Sequence, residues 1–325
     1  MFIFGGRAWW PAMVLGALSV TLPSGSASDI SLPQLGGQTN AAPIAAVPAS
    51  GTILNTLPEN PSGPSSTLVV ASLAAKNSSG AFKTHWIIVA SALNELASAG
   101  GTAAAKAISG DPTTVILGNP ASLGIYAAMS GASAKSLSAI RTALSSTPKV
   151  STVLYDVEDW SYTPLAEQLE PIAATQTAQS ITSAADTPLI AAPALDLMKV
   201  LYPGIPPRVA YISKNVAGRI AQYASAIDIQ AQSIETNPSE YANFVLAAAA
   251  EARAANPHVR VYAGISTNPD GQTVTATELY QDVNSTAGSV YGYWLNIPSG
   301  GTYCPSCGTP QPHIAVQLLA TLGVG

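Results

Sequence analysis

The stretch TVLYDVEDW, residues 152–160, is an apolar run that ends in acids. Along an extended strand the side chains alternate between two faces, so Leu154, Asp156 and Glu158 share one face. Burying two carboxyl groups at the end of an apolar strand costs desolvation energy and mutual repulsion, so a purely structural strand rarely carries such a pair. The stretch therefore predicts a buried strand that ends in a functional site.

On both sides of this strand the chain alternates between strand-like and helix-like segments. Predicted strands cover residues 67–73, 113–119, 152–158, 188–194, 208–213, 226–232, 258–266 and 290–297. Predicted helices cover residues 86–99, 134–145, 164–184, 215–223, 238–255, 275–283 and 314–322. This alternation predicts an α/β fold, a (β/α)8-type TIM barrel, with one irregular or missing strand as the alternative.

The amino terminus has the pattern of a targeting segment. One positive charge at Arg7 precedes an apolar run, and small residues follow up to Ser28. We interpret residues 1–28 as a signal peptide, with a retained anchor as the alternative, residues 29–66 as a low-complexity linker, and residues 67–325 as a single barrel domain. The expected location is secreted, extracellular or on a bacterial cell surface, without membrane attachment after cleavage.

Composition excludes one class of partner. Charged residues make up 10% of the chain and the net charge is -5, so no basic patch is expected and nucleic acid is excluded as a partner. The low-charge surface, which is rich in Ala and Ser, keeps self-association open as an alternative.

Two cysteines, Cys304 and Cys307, lie in the Gly- and Pro-rich segment SGGTYCPSCGTPQP. A zinc site would need four ligands, and His313 is the only nearby histidine, so no metal is predicted. The pair is expected to form a small local disulfide or to remain as two thiols.

Polar side chains end several of the predicted strands, and in a barrel they meet at the carboxyl end, where barrel enzymes build their sites. The predicted catalytic residues are Glu158 as proton donor, Asp156 as the neighbour that orients it and raises its pKa, and Asp228 as the partner across the pocket. Acids, amides and aromatic rings together suit a carbohydrate or another polyol-rich polymer. The predicted substrate-binding residues are Asn119, Trp160, Gln230, Gln232, Tyr262, Asn268, Trp294 and Asn296.

Other chemistries lack their motifs. No GxSxG, HExxH, P-loop or GxGxxG pattern occurs, and the three histidines are scattered, so neither a serine triad nor a cofactor is expected. A hard cation held by Asp156, Glu158 and Asp228 stays open as an alternative. Paired carboxyl groups favour glycoside hydrolysis.

The strand end Asp156-Val157-Glu158 resembles the end of the DxxDxDxE strand of chitinase-like family 18 glycoside hydrolases, which are TIM barrels. The resemblance implies that Glu158 is the acid, that Asp156 assists it, and that Trp294 stacks on a sugar. The earlier acids of that motif are missing from residues 151–155. Over most of residues 152–322, the segments YDVEDW, TPLAEQ, DIQAQ, AGISTNP, YWLNIP and CPSCG also resemble uncharacterised secreted bacterial proteins.

The sequence therefore predicts a secreted carbohydrate-active barrel that hydrolyses glycosidic bonds by carboxylate acid/base catalysis. The alternative is a non-catalytic extracellular protein that binds carbohydrate or assembles with copies of itself.

Overall fold

The computed structural model describes residues 84–118 and 127–325, which form a closed barrel of eight parallel strands. Each strand pairs with the strand before it, and the last pairs with the first, so the sheet has no open edge. The (β/α)8 prediction is confirmed, and no strand is missing. The strands are β1 (His85–Val89), β2 (Val115–Leu117), β3 (Met129–Ala134), β4 (Thr152–Val157), β5 (Leu189–Pro193), β6 (Ala226–Ile229), β7 (Arg260–Ser266) and β8 (Gly292–Asn296).

Helices follow the strands and surround the barrel, as the right-handed crossovers of a parallel sheet require. They are α1 (Ala90–Leu96), α2 (Thr102–Gly110), α3 (Leu137–Leu144), α4 (Leu165–Leu169), α5 (Pro171–Ala184), α6 (Leu197–Leu201), α7 (Pro207–Ser213), α8 (Val216–Ala221), α9 (Pro238–Ala255), α10 (Ala276–Thr286) and α11 (Pro312–Thr321).

The strands separate two apolar layers. Leu154 of β4 packs inside the barrel with Tyr262 and Trp294, whereas Val153 and Tyr155 pack outward in the layer beneath the helices. Both faces of each strand are therefore buried, and the alternation of side chains decides which residues reach the interior.

The predicted helix at residues 86–99 is wrong at its start, because the chain there forms β1. Ile87 packs inside the barrel and Ile88 packs outside it, so both faces of the strand are apolar. A run that is buried on both faces has no period of two, and periodicity alone does not distinguish it from a buried helix.

The sequence analysis missed β3, since MSGASA contains few of the large residues that favour strands. Gly131 suits this position because a Cβ there would approach side chains of Val115 and Leu117 at 2.8 and 2.9 Å. Small residues in β3 therefore leave room for the side chains of the neighbouring strand.

The predicted strand at residues 208–213 is a helix, α7. Pro207 occupies its first turn, where a missing N–H does no harm. Val209 is 56% exposed, while the consecutive residues Ala210 and Tyr211 are buried. That burial pattern follows a helix surface rather than the alternation of a strand.

Several predictions fall outside the described residues: the signal peptide at residues 1–28, the linker at residues 29–66, the strand at residues 67–73, and Asn119. Within residues 84–118 and 127–325, no helix has the length and apolar character needed to cross a membrane.

Candidate functional site

The inner face of β4 leads to two carboxyl groups. Asp156 is the last inward-facing residue of the strand and is buried, and Glu158 follows just beyond Val157, partly exposed at the mouth of the barrel. Each carboxyl group is close enough to affect the pKa of the other. Two neighbouring carboxylates repel each other, so the first proton is lost from the pair more easily than the second. We refer to this pair as the dyad.

The proton of the dyad belongs to Glu158. Burial, and then the charge of Asp156, raise the pKa of Glu158 to about 10. Burial also raises the pKa of Asp156, but Lys135 opposes that shift by its charge. Lys135 Nζ lies 3.7 Å from Asp156 Oδ2, and Gln230 Nε2 donates a hydrogen bond to Asp156 Oδ1 at 2.8 Å. At neutral pH Glu158 is therefore a carboxylic acid, while Lys135 and Gln230 favour the ionised form of Asp156.

Lys135 is a site residue that the sequence analysis missed, because the strand before it was not recognised. It follows β3 directly, and its side chain is 24% exposed. The signal that could have found it is Ser136, whose Oγ accepts a hydrogen bond from Ala139 N at 3.1 Å and caps α3. A capping serine predicts that the residue before it lies in the loop between a strand and a helix, at the carboxyl end of the barrel.

The loop after β4 is held in place by Thr163 and Gln168. Trp160 Nε1 donates to Thr163 Oγ1 at 2.8 Å. Gln168 Nε2, from α4, donates to the carbonyl oxygens of Trp160 and Thr163, both at 2.8 Å. These bonds fix the Trp160 ring near Tyr162 and near Tyr303. Tyr303 belongs to residues 299–312, which carry Cys304 and Cys307 and are called the cysteine segment below.

A further acid approaches from the loop after β5. Asp196 Oδ1 accepts a hydrogen bond from Asp159 N at 3.1 Å. Burial raises the pKa of Asp196, and the charge of Asp196 in turn helps to raise the pKa of Glu158. The mouth of the barrel is thus acidic, with Lys135 as the cation that contacts the dyad.

Asp228 is the inward-facing acid of β6. It is fully buried, and neither carboxyl oxygen has a hydrogen-bond partner among the described residues. Burial, and then the charge of Asp156, raise the pKa of Asp228 well above its ordinary value. Burial therefore favours the protonated form of Asp228.

The other predicted residues divide between the site and its surroundings. Gln230 and Trp160 contact the dyad region, as described above. Tyr262 and Trp294 are 2% and 7% exposed and fill the barrel interior.

Asn268 Nδ2 donates to Cys307 O at 2.7 Å and so anchors the cysteine segment. The remaining two are Gln232, which lies against Gly264, and Asn296, which ends β8. That any of these residues binds substrate stays a prediction.

A second acidic group lies outside the barrel, behind β7. Glu235 Oε1 accepts a hydrogen bond from Ser266 N at 2.5 Å. Burial raises the pKa of Glu235 well above its ordinary value, and burial raises the pKa of Asp282 to about 8. Tyr293, whose side chain points outward from β8, packs nearby and donates to Val283 O. This group is separate from the dyad.

Cys304 and Cys307 form a disulfide, with their Cα atoms 5.4 Å apart, so the disulfide interpretation is confirmed over two free thiols. In residues 84–118 and 127–325, no three His, Cys, Asp or Glu side chains are arranged to hold a metal ion. Asp156, Glu158 and Asp228 therefore do not form the cation site that the sequence left open.

Comparisons with known proteins assign the chain to no family. No protein-family model matches the chain, and no curated protein matches it. Among solved structures, a thiamine phosphate pyrophosphorylase from Pyrococcus furiosus is similar at 11% identity and a TM-score of 0.22, over 74% of this chain and 95% of that chain. The resemblances to family 18 glycoside hydrolases and to secreted bacterial proteins gain no support from these comparisons.

The prediction of a carbohydrate-active barrel that hydrolyses glycosidic bonds is wrong. The positions of the acids overturn it, because glycosidases place two carboxyl groups on either side of the scissile bond. Here Asp156 and Glu158 leave the same strand two residues apart, while Asp228 is fully buried.

Proposed function

We propose that the carboxyl end of the barrel is the active site of a proton-transfer enzyme, with Glu158 as its general acid. The observation that carries this proposal is the dyad, in which Glu158 stays protonated beside Asp156, while Lys135 and Gln230 contact Asp156 and favour its ionised form. Glu158 is partly exposed at the mouth, whereas Asp156 is buried beneath it, so a ligand reaches the acid and not its partner. Active sites of (β/α)8 enzymes lie at this end of the barrel.

The catalytic step is a transfer of one proton. The Glu158 carboxyl group gives its proton to a substrate atom and becomes a carboxylate, so that two carboxylates then stand side by side. The Lys135 ammonium, 3.7 Å from Asp156, compensates the added negative charge, and Gln230 continues to hold Asp156. Water returns the proton to Glu158 after product leaves.

The pKa of Glu158, about 10, limits the kind of atom that receives the proton. Proton transfer is efficient when the donor and the acceptor in the transition state have similar basicity. The acceptor is therefore an atom that becomes strongly basic as the reaction proceeds, such as the oxygen of a developing alkoxide or enolate.

The first test measures the proton directly. The carboxyl carbon of Glu158 is followed by carbon-13 NMR as a function of pH in the ligand-free protein, and Glu158→Gln identifies its resonance. We expect Glu158 to remain protonated at neutral pH and to lose its proton only in the alkaline range. An ionised Glu158 at neutral pH would exclude it as the acid, whatever the substrate.

The second test measures catalysis. Pools of small carbonyl- and hydroxyl-containing compounds are incubated with the protein in heavy water, and mass spectrometry reports deuterium uptake or new products. Glu158→Gln should lower the rate by about 10²- to 10⁴-fold, the usual contribution of a general acid. Glu170→Gln makes the same chemical change at an exposed acid and should leave the rate unchanged. Equal rates in wild type and Glu158→Gln would contradict the assignment.

A further inference from the structure

Three aromatic rings form a cage at the mouth of the barrel, against the dyad. The ring centroids of Trp160 and Tyr162 are 5.3 Å apart, those of Trp160 and Tyr303 are 6.2 Å apart, and those of Tyr162 and Tyr303 are 4.8 Å apart. The planes meet at 84°, 58° and 50°, so the rings pack against one another edge-on or tilted instead of stacking flat, and ring faces stay free for other contacts. We call these three residues the aromatic cage.

The cage already accommodates a cation. Lys135 Nζ lies 5.0 Å from the ring centroid of Trp160 and 5.0 Å from that of Tyr303. Both distances are within the range in which the negative face of an aromatic ring attracts a positive charge. The Lys135 ammonium therefore stands where the cationic group of a ligand would bind.

Lys135 is held loosely enough to leave this position. Its nitrogen lies 3.4 Å from Ser133 Oγ and 3.7 Å from Asp156 Oδ2, both longer than a strong charge-assisted hydrogen bond. A partly exposed ion pair at such a distance contributes little to stability. The flexible lysine side chain can move its ammonium off the two ring faces and closer to Asp156, where it still compensates the charge of the dyad.

The charges around the cage favour a cation over an anion. The charged or titratable groups at the mouth are Asp156, Glu158, Asp159 and Asp196, against the cations Lys135 and Lys199. Four acidic side chains thus lie near the rings, against two basic ones. An anionic ligand would meet these carboxylates, whereas an ammonium group is attracted by both the acids and the rings.

The third wall of the cage comes from the cysteine segment and faces solvent. Tyr303 is 64% exposed, so the cage is open on that side. The neighbouring disulfide between Cys304 and Cys307 closes a tight turn, which Asn268 ties to the end of β7 by its bond to Cys307 O. These links hold Tyr303 in place opposite Trp160.

We propose that the aromatic cage binds an organic ammonium group, which displaces the Lys135 ammonium, and that the substrate of the barrel carries such a group. This inference rests on the proposed function, because it places the bound molecule beside the Glu158 acid. The cage recognises the positive charge, and the dyad lies where a neighbouring polar atom of the same molecule would receive the proton.

Isothermal titration calorimetry with choline tests the proposal, using 3,3-dimethylbutan-1-ol as the uncharged molecule of the same shape. The wild-type protein should bind choline at least about tenfold more tightly than the neutral alcohol. Lys135→Ala, which removes the competing cation, should strengthen choline binding by at least about tenfold. Tyr303→Leu should abolish the preference for choline, and Tyr223→Leu, at the other end of the barrel, should preserve it.

Equal affinity for choline and the alcohol, in wild type or in Lys135→Ala, would overturn the proposal, as would a preference that survives Tyr303→Leu. Tyr303 is on an exposed turn, and a thermal melt of Tyr303→Leu confirms that the barrel is folded. Failure of the cage is separated from failure of Glu158 as the acid, because the NMR titration reports the proton of Glu158 without any ligand.

Discussion

A single lysine acts on both acids of the dyad. Burial disfavours the ionised form of Asp156, which is more deeply buried than Glu158. Lys135 opposes this effect by its charge, and Gln230 contributes a hydrogen bond that also favours the ionised form of Asp156. The chemistry of Glu158 therefore depends on a residue from the neighbouring strand.

Replacing Lys135 with Met keeps the length of the side chain and removes the charge. Since Lys135 lowers the pKa of both acids, we expect the pKa of Asp156 and that of Glu158 to rise in Lys135→Met, so the dyad takes up its second proton at a higher pH. Carbon-13 NMR of the Asp156 carboxyl carbon measures this shift. Lys106→Met removes an exposed charge and should leave the titration as in wild type. A dyad that titrates identically in both variants would show that Lys135 does not set its protonation.

At the scale of elements, β4 is connected to its surroundings through its outer face as well. Tyr155 Oη donates to Glu167 Oε2 at 2.5 Å, and the same oxygen accepts from Leu137 N at 3.0 Å. Glu167 belongs to α4 and Leu137 begins α3, so one carboxylate joins a strand to two helices. It also accepts a backbone N–H at the positive end of α3, where a negative charge is favourable.

Glu167→Ala should lower the free energy of unfolding by about 1–3 kcal/mol, because it leaves the buried Tyr155 hydroxyl without its acceptor. Glu167→Gln retains an oxygen acceptor and should cost less. Urea unfolding followed by circular dichroism gives both values. Glu170→Ala, an exposed acid at the start of the next helix, serves as the matched control. If Glu167→Ala is no less stable than Glu170→Ala, the carboxylate does not anchor β4.

At the scale of the whole molecule, buried acids make stability depend on pH in an uncommon direction. In the folded protein burial raises the pKa of all of them, to about 10 for Glu158 and about 8 for Asp282. In the unfolded chain the same groups ionise near pH 4. Between these values the folded state holds more protons than the unfolded state, so stability falls as pH rises. The acids concerned are Asp156, Glu158, Asp228, Glu235 and Asp282.

We therefore expect the urea midpoint to be highest near about pH 5 and to fall steadily toward about pH 9. The free energy of unfolding should fall by at most about 1.4 kcal/mol per pH unit for each group that titrates. Asp228→Asn and Asp282→Asn, alone and combined, should flatten this decline, since an amide does not ionise. A midpoint that rises from about pH 5 to about pH 8, as it does when paired carboxylates dominate, would contradict the expectation.

The fold was predictable where local patterns agree with tertiary structure. Helix α9 was predicted with its observed limits, because Pro238 and Asn256 mark its ends and its buried residues follow the helical period. β1 and β3 were not recognised, since an apolar run and a run of small residues lack the signature of a strand. Their identity comes from pairing with neighbours that are distant along the chain.

For the site, the alternation of side chains placed Asp156, Glu158 and Gln230 correctly on inward-facing positions. The same reasoning set Asp228 beside them but did not reveal that it is sealed, because burial depends on the Tyr262 and Trp294 rings around it. Lys135 and Tyr303 could not be assigned, since the first follows an unrecognised strand and the second enters the site from a loop 143 residues after Trp160 along the chain.

The sequence by itself determined that the chain alternates strands with helices and that TVLYDVEDW ends in two inward-facing acids, since both follow from the local geometry of the backbone. Tertiary structure decided which of the acids keeps its proton. That choice depends on burial and on the distances to Lys135 and Gln230, which only the closed barrel sets. It also brought Tyr303 to Trp160 and so formed a cage from residues that no local pattern connects.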